Sequence, residues 1–112
     1  MECDVTALIQ SQVDAYNRHD TAAFVATYAP DAEVVTHEGR DEQKMVGRQV
    51  LTDVYGKLFV NVPSLKVEIA HRAVLDHHVV DEEVVSFQGA TLRGVVAYRV
   101  ENCLIARADI YT

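Results

Sequence analysis

The chain has no tryptophan, only two prolines and two cysteines, and five glycines scattered singly among 112 residues. Isolated glycines at 39, 47, 56, 89 and 94 make no phosphate-binding loop, and no Pro-rich linker or internal repeat divides the chain. Cys3 and Cys103 are too few for a thiolate zinc site. With no basic-then-apolar stretch at the N-terminus they read as reduced thiols, and a cytoplasmic location is the expectation. No apolar run approaches the ~20 residues that span a bilayer. Positive charge is also scarce. Ten Lys+Arg against seventeen Asp+Glu leave a net charge of −7, which repels phosphate backbones and anionic lipid. Neither nucleic acid nor a membrane is an expected partner. No Ser or Cys stands in a nucleophile elbow. The five histidines lack ligand spacing on a shared element, and His77-His78 would point to opposite sides of a strand, so no metal is expected.

What is present fits one packed domain over residues 1–112, with 49% hydrophobic and 24% charged residues. Val5, Leu8, Ile9, Val13 and Tyr16 recur at helical spacing behind a capping Asp4, with Gln12 as the one polar residue in the stripe. Asp20 caps a second helix carrying Phe24, Val25 and Tyr28, which Pro30 is expected to end. Residues 32–37 read as a short strand and residues 38–46 as a polar connection. Gly47 precedes a third helix with Val50, Leu51, Val54, Tyr55, Leu58 and Phe59 on one side, closed by Pro63. The period then falls to about 2. Strands are predicted over 65–75, 79–87, 91–100 and 104–111, joined by short turns that make them antiparallel neighbours. Three helices with apolar stripes must cover one face of that sheet, so the class is α+β. Asn102-Cys103 resembles a two-residue hairpin turn in which Gly usually follows Asn; Cys103→Gly is then expected to stabilise the fold by up to ~1 kcal/mol.

Several strings carry a further likeness: Ala15-Tyr16-Asn17-Arg18-His19-Asp20, Tyr28-Ala29-Pro30-Asp31-Ala32, Gly47-Arg48, and the closing Tyr98-Arg99-Val100-Glu101-Asn102. With this order of elements the chain resembles the nuclear transport factor 2-like superfamily, and within it the SnoaL-like or ketosteroid-isomerase-like group. The resemblance implies a cone-shaped, curved antiparallel sheet wrapped around three N-terminal helices, a cystatin-like α+β barrel enclosing an apolar pocket. It also implies a homodimer through the sheet face. In the steroid isomerases of this group a Tyr and two Asp do the chemistry. The matching positions here are Gln12, Thr36 and Val96, which cannot supply that set.

The strand faces indicate what could act instead. Over 65–75 the alternation puts Val67, Ile69, His71 and Ala73 on one face and Lys66, Glu68, Ala70 and Arg72 on the other. The charged set belongs in water, so His71 is expected inward and Arg72 outward. Over 79–87 one face holds Val79, Asp81, Glu83, Val85 and Phe87, the other Val80, Glu82, Val84 and Ser86. The size of Phe87, and the resemblance, favour the first as the inner face. Asp81, Glu83 and His71 are therefore the candidate catalytic cluster, a carboxylate in a dry pocket serving as general acid or base. Gln12, Tyr16, Thr36, His37, Tyr55, Phe59, Val96 and Tyr98 are the candidate pocket residues. The expected ligand is a small apolar organic compound, handled without cofactor: an isomerase, cyclase or dehydratase acting by proton transfer at a carbonyl. The alternative is a non-catalytic association or ligand-binding module. A cavity of roughly 300 Å³ or more with converging polar groups favours the first, a filled cone the second. Water addition to an epoxide would need an acid–Arg–acid cluster, which an outward Arg72 does not provide.

Overall fold

The computed structural model describes residues 3–112. Helix α1 (Val5–Arg18) begins at Asp4, whose side chain accepts the Ala7 amide at 2.9 Å. It ends at His19, which takes a left-handed conformation. Helix α2 (Thr21–Ala26) starts in the same way, with Asp20 accepting the Ala23 amide. It stops at Thr27, ahead of Pro30, which lies inside strand β1 (Tyr28–Glu38) and does not end the helix. The polar connection expected over 38–46 contains a strand, β2 (Asp41–Val46), almost all of it exposed. An outermost strand with little to bury shows no apolar alternation. Gly47, at φ +90°, starts helix α3 (Arg48–Asn61), whose Leu51 and Phe59 enter the core.

Four strands follow: β3 (Lys66–Leu75), β4 (His78–Phe87), β5 (Ala90–Glu101) and β6 (Leu104–Tyr111). They form consecutive antiparallel pairs in a curved, unclosed six-stranded sheet of order β2-β1-β6-β5-β4-β3. Strand β1 joins β6 in parallel and β2 antiparallel. The three helices lie over the inner face, where Ile9, Phe24, Leu51, Val79, Tyr98 and Ile105 share one apolar core.

Two polar anchors position the helices. The Asn17 amide pairs with the Val67 backbone as a strand would, donating to the carbonyl at 2.9 Å and accepting from the amide at 2.8 Å. The Arg48 guanidinium donates twice to the Tyr28 carbonyl, at 2.9 and 2.6 Å, which ties the start of α3 to β1. Asn17 and Arg48 belong to the strings that carry the family likeness.

Cys3 and Cys103 are not free. They form a disulfide with Cα atoms 5.5 Å apart, closing a loop of sequence separation 100. The reading of the two cysteines as reduced thiols is corrected by that bond. Asn102 and Cys103 do have positive φ, 52° and 62°, between the paired Glu101 and Leu104, so the turn is the two-residue kind expected. The expected gain from Cys103→Gly is nevertheless reversed, because the substitution would also remove the bridge. Disulfides typically stabilise a fold by about 2–4 kcal/mol, and chain entropy puts a loop of this length at about 5 kcal/mol. Cys103→Gly should therefore lower the melting temperature under oxidising conditions and raise it relative to wild type in excess reductant. Equal melting shifts with and without reductant would contradict the pairing.

Candidate active site

Between the helices and the inner sheet face lies a cavity of about 340 Å³. Helix α1 contributes Gln12, Val13 and Tyr16 at i, i+1 and i+4; α2 contributes Phe24, and α3 Tyr55 and Leu58. From the sheet come Tyr28, Val67, Glu83, Val85, Val96, Tyr98 and Ile110. Among the described residues no Lys, Arg or His lines it.

Strand β4 presents the inner face expected of it: Val79 and Asp81 are fully buried, and Glu83, Val85 and Phe87 line the cavity. Strand β3 does not. A register shift between Ile69 and His71 inserts one residue, so Ile69 opposes Glu83 while Arg72 opposes Asp81. The bulge reverses the phase beyond it. His71 is turned to solvent, its side chain 83% exposed and 3.9 Å from Glu82 across the outer face. Arg72 takes the inward place, gripping Asp81 through Nε at 2.7 Å and Nη2 at 2.9 Å, while Nη1 donates to Gln10 at 2.9 Å. A carboxylate with no exposure needs such a partner. Neither Asp81 nor Arg72 lines the cavity. The cluster expected of His71, Asp81 and Glu83 therefore separates into a solvated His71, a structural Asp81–Arg72 pair, and Glu83 alone in the cavity. Arg72 is inward, against expectation, but the Asp81–Arg72 pair stands apart from the cavity lining, so no acid–Arg–acid cluster faces the cavity.

Glu83 is ringed by phenols. Tyr98 Oη stands 3.5 Å from Glu83 Oε2 and 3.5 Å from Gln12 Oε1, long contacts between which one hydroxyl proton can be shared. Gln12 Nε2 donates to Tyr28 Oη at 3.1 Å. The hydroxyls of Tyr16 and Tyr55 make no hydrogen bond among the described residues, and both line the cavity. Tyr16 is held by edge-on contact with Phe59, ring centroids 5.3 Å apart, and Tyr55 packs on Phe24 at 4.5 Å. Burial pushes the Glu83 carboxyl up to about 7, and the nearby Asp81 carboxylate adds to the shift. Burial raises Tyr16, Tyr28 and Tyr98 well above the ordinary phenol range and Tyr55 to about 12. The phenols therefore stay protonated donors around a carboxyl that ionises near neutrality.

Of the remaining candidates, Gln12, Tyr16, Tyr55, Val96 and Tyr98 line the cavity; Phe59 is buried behind Tyr16 and does not. Thr36 and His37 lie beyond it. The Thr36 hydroxyl donates to the Gln43 carbonyl at 3.4 Å. His37 sits on the outer sheet face, 3.0 Å from Asp109 and stacked on Tyr111 at 4.5 Å between ring centroids. Tyr28, like Phe24, is a cavity residue that the sequence pattern placed on a helix stripe and not in the site. Its buried hydroxyl, which needs a partner, was the available signal.

A curved, unclosed sheet backed by three helices is the fold of the small α+β cones of the nuclear transport factor 2-like superfamily. Residues 9–108 match the SnoaL-like domain, and the chain belongs to that family. No curated protein matches it. Among solved structures it is similar to a Sinorhizobium meliloti protein provisionally assigned as a polyketide cyclase, at 23% identity and TM-score 0.80, covering 93% of each chain. It is also similar to a Kribbella flavida protein provisionally assigned as a ketosteroid isomerase, at 17% identity and TM-score 0.81, over 96% of this chain and 76% of that one. An uncharacterised cystatin-fold protein from Novosphingobium aromaticivorans superimposes with TM-score 0.84 at 17% identity, over 98% of both chains. At these identities the likeness is one of fold.

Proposed function

We propose that the protein binds a compact apolar carbonyl compound and moves a proton on it, with Glu83 as the base. The observation that carries the reading is Glu83 itself, the one acidic side chain lining the cavity among the described residues, with the phenols of Tyr16 and Tyr55 lining the same space. A carboxyl titrating near neutrality is ionised often enough to remove a proton from the carbon next to a carbonyl, and its conjugate acid can return it. Tyr16 or Tyr55 donates a hydrogen bond to the enolate oxygen as charge develops there. Returning the proton at another carbon gives isomerisation; loss of a leaving group gives dehydration; attack of the enolate on a second carbonyl gives cyclisation. Names given to the Sinorhizobium and Kribbella proteins are compatible with this chemistry.

The test is exchange of the α-hydrogens of 2-tetralone in D₂O, followed by NMR. Catalysed, saturable exchange is expected. Glu83→Gln should reduce it by about 100-fold or more, with a smaller loss in Tyr16→Phe. Equal exchange by wild type and Glu83→Gln would remove Glu83 from the mechanism. The same reading keeps a second copy of the chain on the outer sheet face. Val80, Val95 and Tyr111 are exposed there between paired charges such as Arg93–Glu82, which supports a dimer.

A further inference from the structure

The cavity has a sign. Among the described residues its lining contains one side chain able to carry charge near neutral pH, Glu83, and no cationic side chain. The nearest guanidinium, Arg72, is committed to Asp81 through two hydrogen bonds and to Gln10 through a third. Four tyrosines, Tyr16, Tyr28, Tyr55 and Tyr98, are among the residues that line it. Ring faces carry negative electrostatic potential and attract cations, most strongly where water is excluded. Gln12 Oε1 and the Glu83 carboxylate are acceptors on the same side. A net charge of −7 draws cations towards the molecule from outside.

We infer that this cavity is a binding site for a protonated apolar amine, its ammonium seated on the Glu83 carboxylate between the Tyr rings, and that it rejects apolar carboxylates of the same size. The inference rests on the reading of the cavity as a ligand site, but it concerns a ligand class that proton transfer on a ketone does not require. Charge pairing supplies the selection. An ammonium provides the counter-ion that Glu83 lacks in a low-dielectric space, while a carboxylate ligand would place two like charges there. A neutral ketone falls between them. Binding the cation also holds Glu83 ionised, so an amine should inhibit any reaction that needs the Glu83 proton returned.

The test uses three probes sharing one naphthalene frame: N,N-dimethyl-2-naphthylmethylamine, 2-acetylnaphthalene and 2-naphthoate, titrated by calorimetry into the full chain. The amine is expected to bind at least about tenfold more tightly than the naphthoate at about pH 8, a difference that one buried charge contact readily supplies. Its affinity should rise between about pH 6 and pH 8 as Glu83 ionises, while the amine stays protonated throughout. In Glu83→Gln, whose circular dichroism should match that of the wild type and so report an intact fold, the preference for the amine over the naphthoate should vanish. Naphthoate binding as tightly as the amine, or an amine preference that survives in Glu83→Gln, would overturn the inference. Failure of all three probes to bind would overturn it too, along with the reading of a ligand site. Amine selectivity without 2-tetralone exchange would leave this inference standing and remove only the proton-transfer reading.

Discussion

Replacing Arg72 by Met should cost the fold about 3–5 kcal/mol, measured by urea unfolding at neutral pH. The residue spans from β3 to the fully buried Asp81, and removing it leaves a carboxylate with no exposure and no partner for either oxygen. Breaking a buried pair from one side costs this much because the surviving charge has lost both water and counter-ion. The double variant Arg72→Met with Asp81→Leu should recover most of the loss, since a well-packed apolar pair dispenses with desolvation on both sides. A single variant that loses less than about 1 kcal/mol would mean that the bulge at Ile69–His71 does not turn Arg72 inward. The pair also shapes the site. Asp81 lies two residues from Glu83 on the same strand face, where its charge raises Glu83 and that of Arg72 lowers it. Removing Arg72 should push Glu83 further up.

The second large effect concerns Glu83. Its folded-state pKa is raised from 4.5 to about 7, so between those values the folded protein binds a proton that the unfolded chain has released. Stability therefore falls as pH rises through this window, and above it the buried carboxylate is a standing cost of about 3–4 kcal/mol. Glu83→Gln removes the charge while keeping shape and hydrogen-bonding capacity. The variant should match wild type at about pH 4.5 and exceed it by about 3–4 kcal/mol at about pH 8, while losing proton transfer. Equal stability of the two proteins at both pH values would show that Glu83 is solvated like an ordinary surface glutamate.

The helical half of the site was legible because an α-helix repeats faithfully. The stripe Ile9, Gln12, Val13 and Tyr16 fixed which side of α1 meets the sheet, and both polar members of it reach the cavity. Strand β4 was legible because Phe87 is too large to leave outside. Strand β3 was misread at one point only. Its alternation was followed through a bulge, a one-residue insertion that no local pattern announces, and every inward assignment after Ile69 changed face. The signal that could have located it was electrostatic: an inward Asp81 needs a cation on the neighbouring strand, and Arg72 stands there. The disulfide was invisible for a different reason. Cys3 precedes α1 and Cys103 sits in the β5–β6 turn, and their approach depends on how the helix layer lies across the sheet. Thr36 and His37 were placed by family position; the cavity ends before Thr36, and His37 faces outward to Asp109 and Tyr111.

The most direct measurement is the titration of the Glu83 side-chain carboxyl by ¹³C NMR in protein labelled at glutamate, with Glu83→Gln to assign the resonance. A midpoint near 7 is expected, moved upward in Arg72→Met. A midpoint at 4.5, unchanged by that substitution, would place the carboxylate in water and leave the cavity without its acid.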